Sequence, residues 1–267
     1  MIAVRNLFKV FGKREAEVLA MARQGAGKTD ILAATGAVVA LNDVTLDMPS
    51  GGTFVLMGLS GSGKSTLVRH LNRLVEPSAG DIAVDAEDIR ALDARALREF
   101  RRRKVSMVFQ GFGLLPHLSV LDNVAFGLTA RGEPKAEARD KAQTWIKTVA
   151  LEGYEDARIE TLSGGMKQRV GLARALAVDT DIILMDEAFS ALDPLIRADV
   201  QDLLLDLQRR LAKTIVFVTH DLAEAVRLGD TIAVMKDGRV VQTGKPDDIL
   251  SHPADDYVAR FVAAQKR

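Results

Sequence analysis

Short apolar runs rich in β-branched residues alternate along this chain with longer stretches whose apolar positions recur at helical spacing. That alternation is the mark of a mainly parallel sheet with helices packed on it. Residues 53–57, 105–109, 182–185, 214–218 and 231–235 read as strands. Asp237-Gly238 then separates the last of these from Arg239-Val240-Val241-Gln242, the pattern of a hairpin with a two-residue turn. Helical periodicity is strongest over 65–74, 135–151 and 166–177. No convincing strand falls between Leu114 and about Ala177, so this stretch reads as a helical subdomain inserted into a sheet-bearing core. Residues 13–40, rich in alanine and charge, form a second insertion with two short helices, and 246–267 a short C-terminal helical tail.

The bulk numbers narrow the picture. At 267 residues the chain is long enough for one domain, 1–267, carrying these insertions. Thirty-six basic and 36 acidic residues cancel, so no long-range field draws in nucleic acid or an anionic membrane surface. The absence of cysteine excludes disulfides and thiolate metal sites and suits a reducing compartment. No apolar stretch approaches the roughly 20 residues that span a bilayer. The start, Met1-Ile2-Ala3-Val4-Arg5, lacks the apolar core of a secretion signal.

The sharpest chemical signal is Gly58-Leu59-Ser60-Gly61-Ser62-Gly63-Lys64-Ser65, which fills the pattern G-x-x-x-x-G-K-[ST] between a strand and a helix. Its glycines let the backbone turn so that successive N–H groups face phosphate oxygens. Lys64 adds a positive charge, Ser65 a hydroxyl for Mg²⁺, and the helix that starts here, with Thr66 in its first turn, adds its dipole. The chain is therefore expected to bind a nucleoside triphosphate on a phosphate-loop NTPase core. A near-copy, Gly25-Ala26-Gly27-Lys28-Thr29, has Ala22 where the first glycine belongs and a helical approach, and reads as a loop between two short helices.

Two further motifs supply candidate chemistry. Ile182-Ile183-Leu184-Met185-Asp186-Glu187 is a buried strand ending in two carboxylates at the sheet edge where ligands of open α/β sheets bind. Asp186 suits Mg²⁺, a hard ion that takes oxygen ligands, and Glu187 suits activation of an attacking water. In Leu162-Ser163-Gly164-Gly165-Met166-Lys167-Gln168-Arg169, Ser163 is an N-cap, and two glycines open a helix N-terminus to an anion.

Those eight residues resemble the signature motif of ATP-binding cassette proteins, and the remaining landmarks follow that family's order from Val4 to about Leu250. The resemblance implies an α/β fold with a mainly parallel sheet, an antiparallel β region and an inserted helical subdomain. It places Gln110 where a glutamine reaches the metal and the attacking water, and His220 against the γ-phosphate. Ser190-Ala191-Leu192-Asp193 matches the loop that touches a partner cassette. Phe11 resembles the aromatic that stacks on adenine; with Phe8 close by, the residues alone also allow a core phenylalanine. The implied ligands are ATP and Mg²⁺. ATP would be held between the phosphate loop, Gly58 to Thr66, of one copy and Ser163, Gly164 and Gly165 of a second, head-to-tail copy.

The stretches 57–77 and 185–197 are similar to the ATPases of glycine betaine, proline and choline importers, in particular Ala188, where most importer cassettes carry proline. The resemblance implies a peripheral subunit on the cytoplasmic face of the inner or plasma membrane, working with an integral membrane permease and an extracytoplasmic solute-binding protein. The permease would dock beside Gln110-Gly111-Phe112. Many members of that group continue into a pair of cystathionine-β-synthase-type domains, which this sequence does not contain, so osmotic gating by this stretch alone is not expected. Two alternatives stand beside this reading: a cassette ATPase serving a different solute, and a nucleic-acid maintenance or translation ATPase. Arg101-Arg102-Arg103-Lys104 is the best support for the second, and a short basic run of this kind is ordinarily a solvated face.

Overall fold

The protein is described from a computed structural model covering residues 1–265. The described residues divide into two compact units, 1–93 together with those from 217 onward, and 94–216.

In the first unit, β1 (Ile2–Phe11), β2 (Val38–Met48), β4 (Ala79–Val84) and β5 (Glu87–Asp88) form an antiparallel sheet in the order β2-β1-β4-β5. Both long strands are bulged. Asn6 and Asp43 take φ values of 44° and 59°, and the β1–β2 register shifts on either side of them. Between β1 and β2 the chain makes the two short helices expected there, α1 (Glu15–Arg23) and α2 (Lys28–Thr35). Val38 to Ala40 already belong to β2, so the excursion is shorter than the composition suggested. Val18 and Ala22 of α1 and Ile31 of α2 pack with Phe8, Val10 and Val39 of the sheet. Each fully buried aliphatic side chain contributes about 1.5–3 kcal/mol, enough to hold so short a pair of helices in place.

β3 (Thr53–Met57) is buried along its whole length and lies parallel to β9 (Thr231–Lys236), with Met57 opposite Val234. A parallel strand covered on both faces has no polar side to show, which is why this run is continuously apolar. β9 turns through Asp237 and Gly238, both with positive φ, into β10 (Arg239–Gly244), the two-residue hairpin read from the sequence. α3 (Lys64–Leu71) follows β3 and stops three residues earlier than its periodicity suggested, before Arg73 takes φ 51°. α9 (Leu222–Leu228), α10 (Pro246–Ser251) and α11 (Asp256–Gln265) complete this unit; Lys266 and Arg267, part of the expected tail, lie outside the described residues.

The second unit opens with α4 (Ala94–Arg103) and pairs β6 (Val105–Val108) in parallel with β7 (Ile182–Asp186). Between them lie α5 (Val120–Ala130), α6 (Lys135–Thr148) and α7 (Gly164–Ala177), whose core includes Val124, Leu128, Ile146, Val170 and Ala173. α8 (Pro194–Leu211) follows β7, and β8 (Thr214–Thr219) carries the chain back into the first unit. Among the described residues no helix is long and apolar enough to cross a membrane.

Candidate functional site

The phosphate loop leaves β3 at Gly58 with φ 146°, passes Gly61 at φ 79° and enters α3 through Gly63 at φ 102°. These are backbone conformations that glycine reaches without strain. Two of the glycines are also required for space. A Cβ on Gly58 would lie 2.3 Å from the Met235 carbonyl oxygen, and one on Gly63 would lie 2.7 Å from that of Ala40. A Cβ on Gly61 meets nothing within 4 Å, so the loop is open at this point.

Lys64 is 3% exposed, and its ammonium donates to the carbonyls of Gly58 at 2.8 Å and Leu59 at 3.0 Å. The ammonium therefore lies along the rim of the loop, already stripped of most of its water. The amides at the start of α3 have no acceptor inside the helix, and their dipole adds positive potential at the same spot. Ser65 and Thr66 are half-buried in that first turn, while Leu59, Ser60 and Gly61 face solvent. The Thr66 carbonyl accepts from Nδ1 of the fully buried His70 at 2.6 Å, so Nδ1 carries a proton. Burial pushes its pKa below the ordinary 6.5, against the opposing hydrogen bond to Thr66.

Phe11 stands at the end of β1 opposite Val38, with 45% of its surface open and the Lys9 ammonium 5.0 Å from the ring centre. The core phenylalanine of this segment is Phe8, 5% exposed. His220, also exposed, is one residue past β8, in a seat built by its neighbours. Thr219 donates through Oγ1 to Glu224 at 2.6 Å and accepts from the Asp221 amide at 3.0 Å. Asp221 in turn caps α9 by accepting from the amides of Ala223 and Glu224. Thr219, Asp221 and Glu224 were not singled out from the sequence, although Asp221 with Glu224 three residues on has the spacing of a helix start.

In the second unit the parallel register aligns two of the expected residues. Val108 lies opposite Met185, so Gln110 and Glu187 each stand two residues beyond the last pair. The Gln110 Nε2 donates to Glu187 Oε2 at 3.1 Å. Asp186, the final residue of β7, is fully buried, whereas Glu187 is half-buried and adopts φ 47°. A left-handed glutamate is strained, and such strain persists where the surroundings over-determine it. Here the Glu187 carbonyl accepts from both the amide and the hydroxyl of Ser190, which turns the chain sharply after the strand.

Ser163 caps α7 by accepting from the Met166 amide at 3.3 Å. Ser163 and Gly164 are exposed, while a Cβ on Gly165 would meet Ile196 Cγ2 at 2.2 Å. Three of the four residues of the basic run form ion pairs with two carboxylates. Arg102 and Arg103 both pair with Glu99, holding that exposed carboxyl below its usual range, and Lys104 pairs with Asp181 at 3.0 Å. Among the described residues no group of three or more His, Asp or Glu could hold a metal unaided.

Comparison with known proteins agrees with this geometry. Residues 41–190 match the family model described as ABC transporter. The chain is 53% identical over 98% of its length to the glycine betaine/carnitine transport ATP-binding protein GbuA of Listeria monocytogenes serotype 1/2a, and 52% identical over 97% to the glycine betaine/proline betaine transport system ATP-binding protein ProV of Salmonella typhimurium. It spans 66% and 65% of the length of those relatives. A dimeric ATP-binding cassette solved in a post-hydrolysis state with ADP and Pi superposes with a TM-score of 0.78 at 32% identity, over 92% of this chain and 99% of that one. Sequence, fold and phosphate-loop geometry thus converge on one assignment: the chain belongs to the ABC transporter family.

Proposed function

We propose that this chain is the ATP-hydrolysing subunit of an importer for a small quaternary amine of the glycine betaine type. Hydrolysis is supported above all by the Gln110–Glu187 contact, which holds an acceptor carboxylate beyond the C-terminal end of a buried strand. In this reading the amides from Gly58 to Thr66 and the Lys64 ammonium grip the triphosphate. Phe11 stacks on the adenine, and His220 lies against the terminal phosphate. Glu187 takes the proton of the attacking water, oriented by Gln110. The Ser65 hydroxyl, the Asp186 carboxylate and the Gln110 amide oxygen are hard oxygen donors that fit Mg²⁺, which when bound neutralises charge on the β- and γ-phosphates.

Ser163, Gly164 and Gly165 would cover the nucleotide of a second copy, so that ATP closes a head-to-tail dimer and hydrolysis opens it. Ser163 and Gly164 are small and exposed, which suits a close approach to a partner's nucleotide. The named substrates of the relatives support the solute class, and their description as ATP-binding proteins of transport systems supports work with a membrane permease. A solute-binding protein outside the membrane and a position on the cytoplasmic face complete the proposal. A nucleic-acid role loses its support because the basic run is engaged with Glu99 and Asp181.

The test is Glu187→Gln. Its amide cannot accept the water proton, so Mg·ATP is expected to bind normally, turnover to fall by about 10²-fold or more, and a closed dimer to accumulate in light scattering. Normal turnover in this variant would overturn the assignment of the base. Co-purification with the native permease, followed by hydrolysis assays with glycine betaine, choline, proline and methionine, tests the solute: stimulation by methionine alone would redirect it.

A further inference from the structure

The excursion between β1 and β2 contains the phosphate-loop imitation Gly25-Ala26-Gly27-Lys28-Thr29, for which the site above has no use. Gly27 is an extended N-cap, φ −66° and ψ 149°, and the segment forms no cradle. Its lysine nonetheless has a defined place. The half-buried ammonium of Lys28 comes so close to the β9–β10 turn that a Cβ on Gly238 would lie 2.9 Å from it. Burial pushes the amine's pKa down, the Asp237 carboxylate opposes that shift, and Arg239 adds to it.

Gly238 is a junction. Its N–H donates to the Ser62 carbonyl at 3.0 Å, inside the phosphate loop, and its own carbonyl accepts from the Asn42 amide at 2.8 Å. A Cβ on Gly63 would stand 3.4 Å from Gly238 Cα. The turn against which Lys28 rests is therefore bonded to the segment whose amides must converge on phosphate. Ser62 and Lys64, on either side of Gly63, are themselves buried, which leaves the loop little room to adjust independently of that turn.

We propose that Lys28 is a positioning residue for the nucleotide: through the Asp237-Gly238 turn, the α1–α2 excursion sets the backbone of Ser62 and Gly63 in the conformation that receives phosphate. The proposal rests on the reading of the phosphate loop as the ATP site. A half-buried ammonium costs solvation, and the attraction of Asp237 offsets part of that cost only while the turn stays where it is. Replacing the ammonium by a neutral group removes that hold on the turn. The loop then loses pre-organisation rather than any contact with the ligand. If the excursion served only to pack Val18 and Ile31 against the sheet, Lys28 could be neutralised without effect on the nucleotide.

The experiment titrates a fluorescent ATP analogue against the wild-type chain, Lys28→Met, Lys28→Arg, Asp237→Asn and the Lys28→Met/Asp237→Asn double variant, with melting temperature and kcat measured alongside. Lys28→Met is expected to weaken binding about 3- to 10-fold, in the range of couplings carried through packed neighbours. Its melting temperature should stay within about 2 °C of wild type, and kcat at saturating ATP should be retained. Lys28→Arg should recover most of the affinity. The double variant should bind no worse than the weaker single one, since both substitutions cut the same link. Wild-type affinity in Lys28→Met, a loss matched by a fall in melting temperature, or no recovery with arginine would each overturn the proposal. A wild-type chain that bound no ATP would instead overturn the nucleotide site, and this proposal with it.

Discussion

Gly58 and Gly61 occupy the same motif, both have positive φ, and replacing each by alanine should have very different consequences. At Gly58, φ 146° lies in a region closed to other residues, a cost of about 1–3 kcal/mol. The new Cβ would also lie 2.3 Å from the Met235 carbonyl oxygen. That oxygen belongs to β9, which is paired with β3 through Val234 and its neighbours, so it cannot retreat without breaking the sheet register. The second near atom, Ser62 Oγ at 2.9 Å, can rotate away and adds little. Overpacking against a fixed atom costs about 1–3 kcal/mol, giving about 2–6 kcal/mol in all. At Gly61 the left-handed backbone costs about 1 kcal/mol and the Cβ meets nothing.

The difference of about 1–5 kcal/mol, at roughly 2–4 °C per kcal/mol for a chain of this size, should make Gly58→Ala melt at least about 2 °C below Gly61→Ala in scanning calorimetry. The same displacement shifts the Gly58 carbonyl, an acceptor of the Lys64 ammonium, so Gly58→Ala should also weaken ATP binding. Equal melting temperatures for the two variants would refute the argument, since they share residue type and sign of φ and differ in what surrounds the added atom.

Two further outcomes follow from the buried charges and rings. Lys64→Ala should abolish detectable binding in a fluorescent ATP titration, because charge-assisted hydrogen bonds of about 1.5–3 kcal/mol each are lost from a site already shielded from water; binding within a few-fold of wild type would remove Lys64 from the phosphate grip. His70, held neutral by burial with its pKa below 6.5, binds a proton more readily when unfolded, so its contribution to stability is complete above about pH 6.5 and is lost as pH falls from there toward the depressed folded value. Urea midpoints between pH 7.5 and 5 should therefore decline more steeply in wild type than in His70→Gln, and parallel slopes would show that His70 carries no such linkage.

The parts of this fold that were legible in the chain are those where one physical requirement acts on contiguous residues. β3, β7, β8 and β9 are buried on both faces and so read as unbroken apolar runs. The phosphate loop is legible because backbone geometry demands glycine at fixed intervals. β1 and β2 were not bounded in advance, because their bulges at Asn6 and Asp43 interrupt the alternation that marks a half-buried strand. α4 was hidden for another reason: only Leu97 and Phe100 are buried, and charge dominates the rest. Gln110 and Glu187 are 77 residues apart, and only the parallel register of β6 on β7 joins them; no local pattern encodes that distance. Lys28 shows the converse. Its local pattern points to phosphate chemistry, and its partner, the turn at Gly238, lies beyond the reach of any local pattern. A motif is informative when the residues that carry it also make its contacts, as they do from Gly58 to Ser65. Where the contacts are made elsewhere in the chain, as for Lys28 and Gln110, the residue type gives the chemistry available and the fold decides its use.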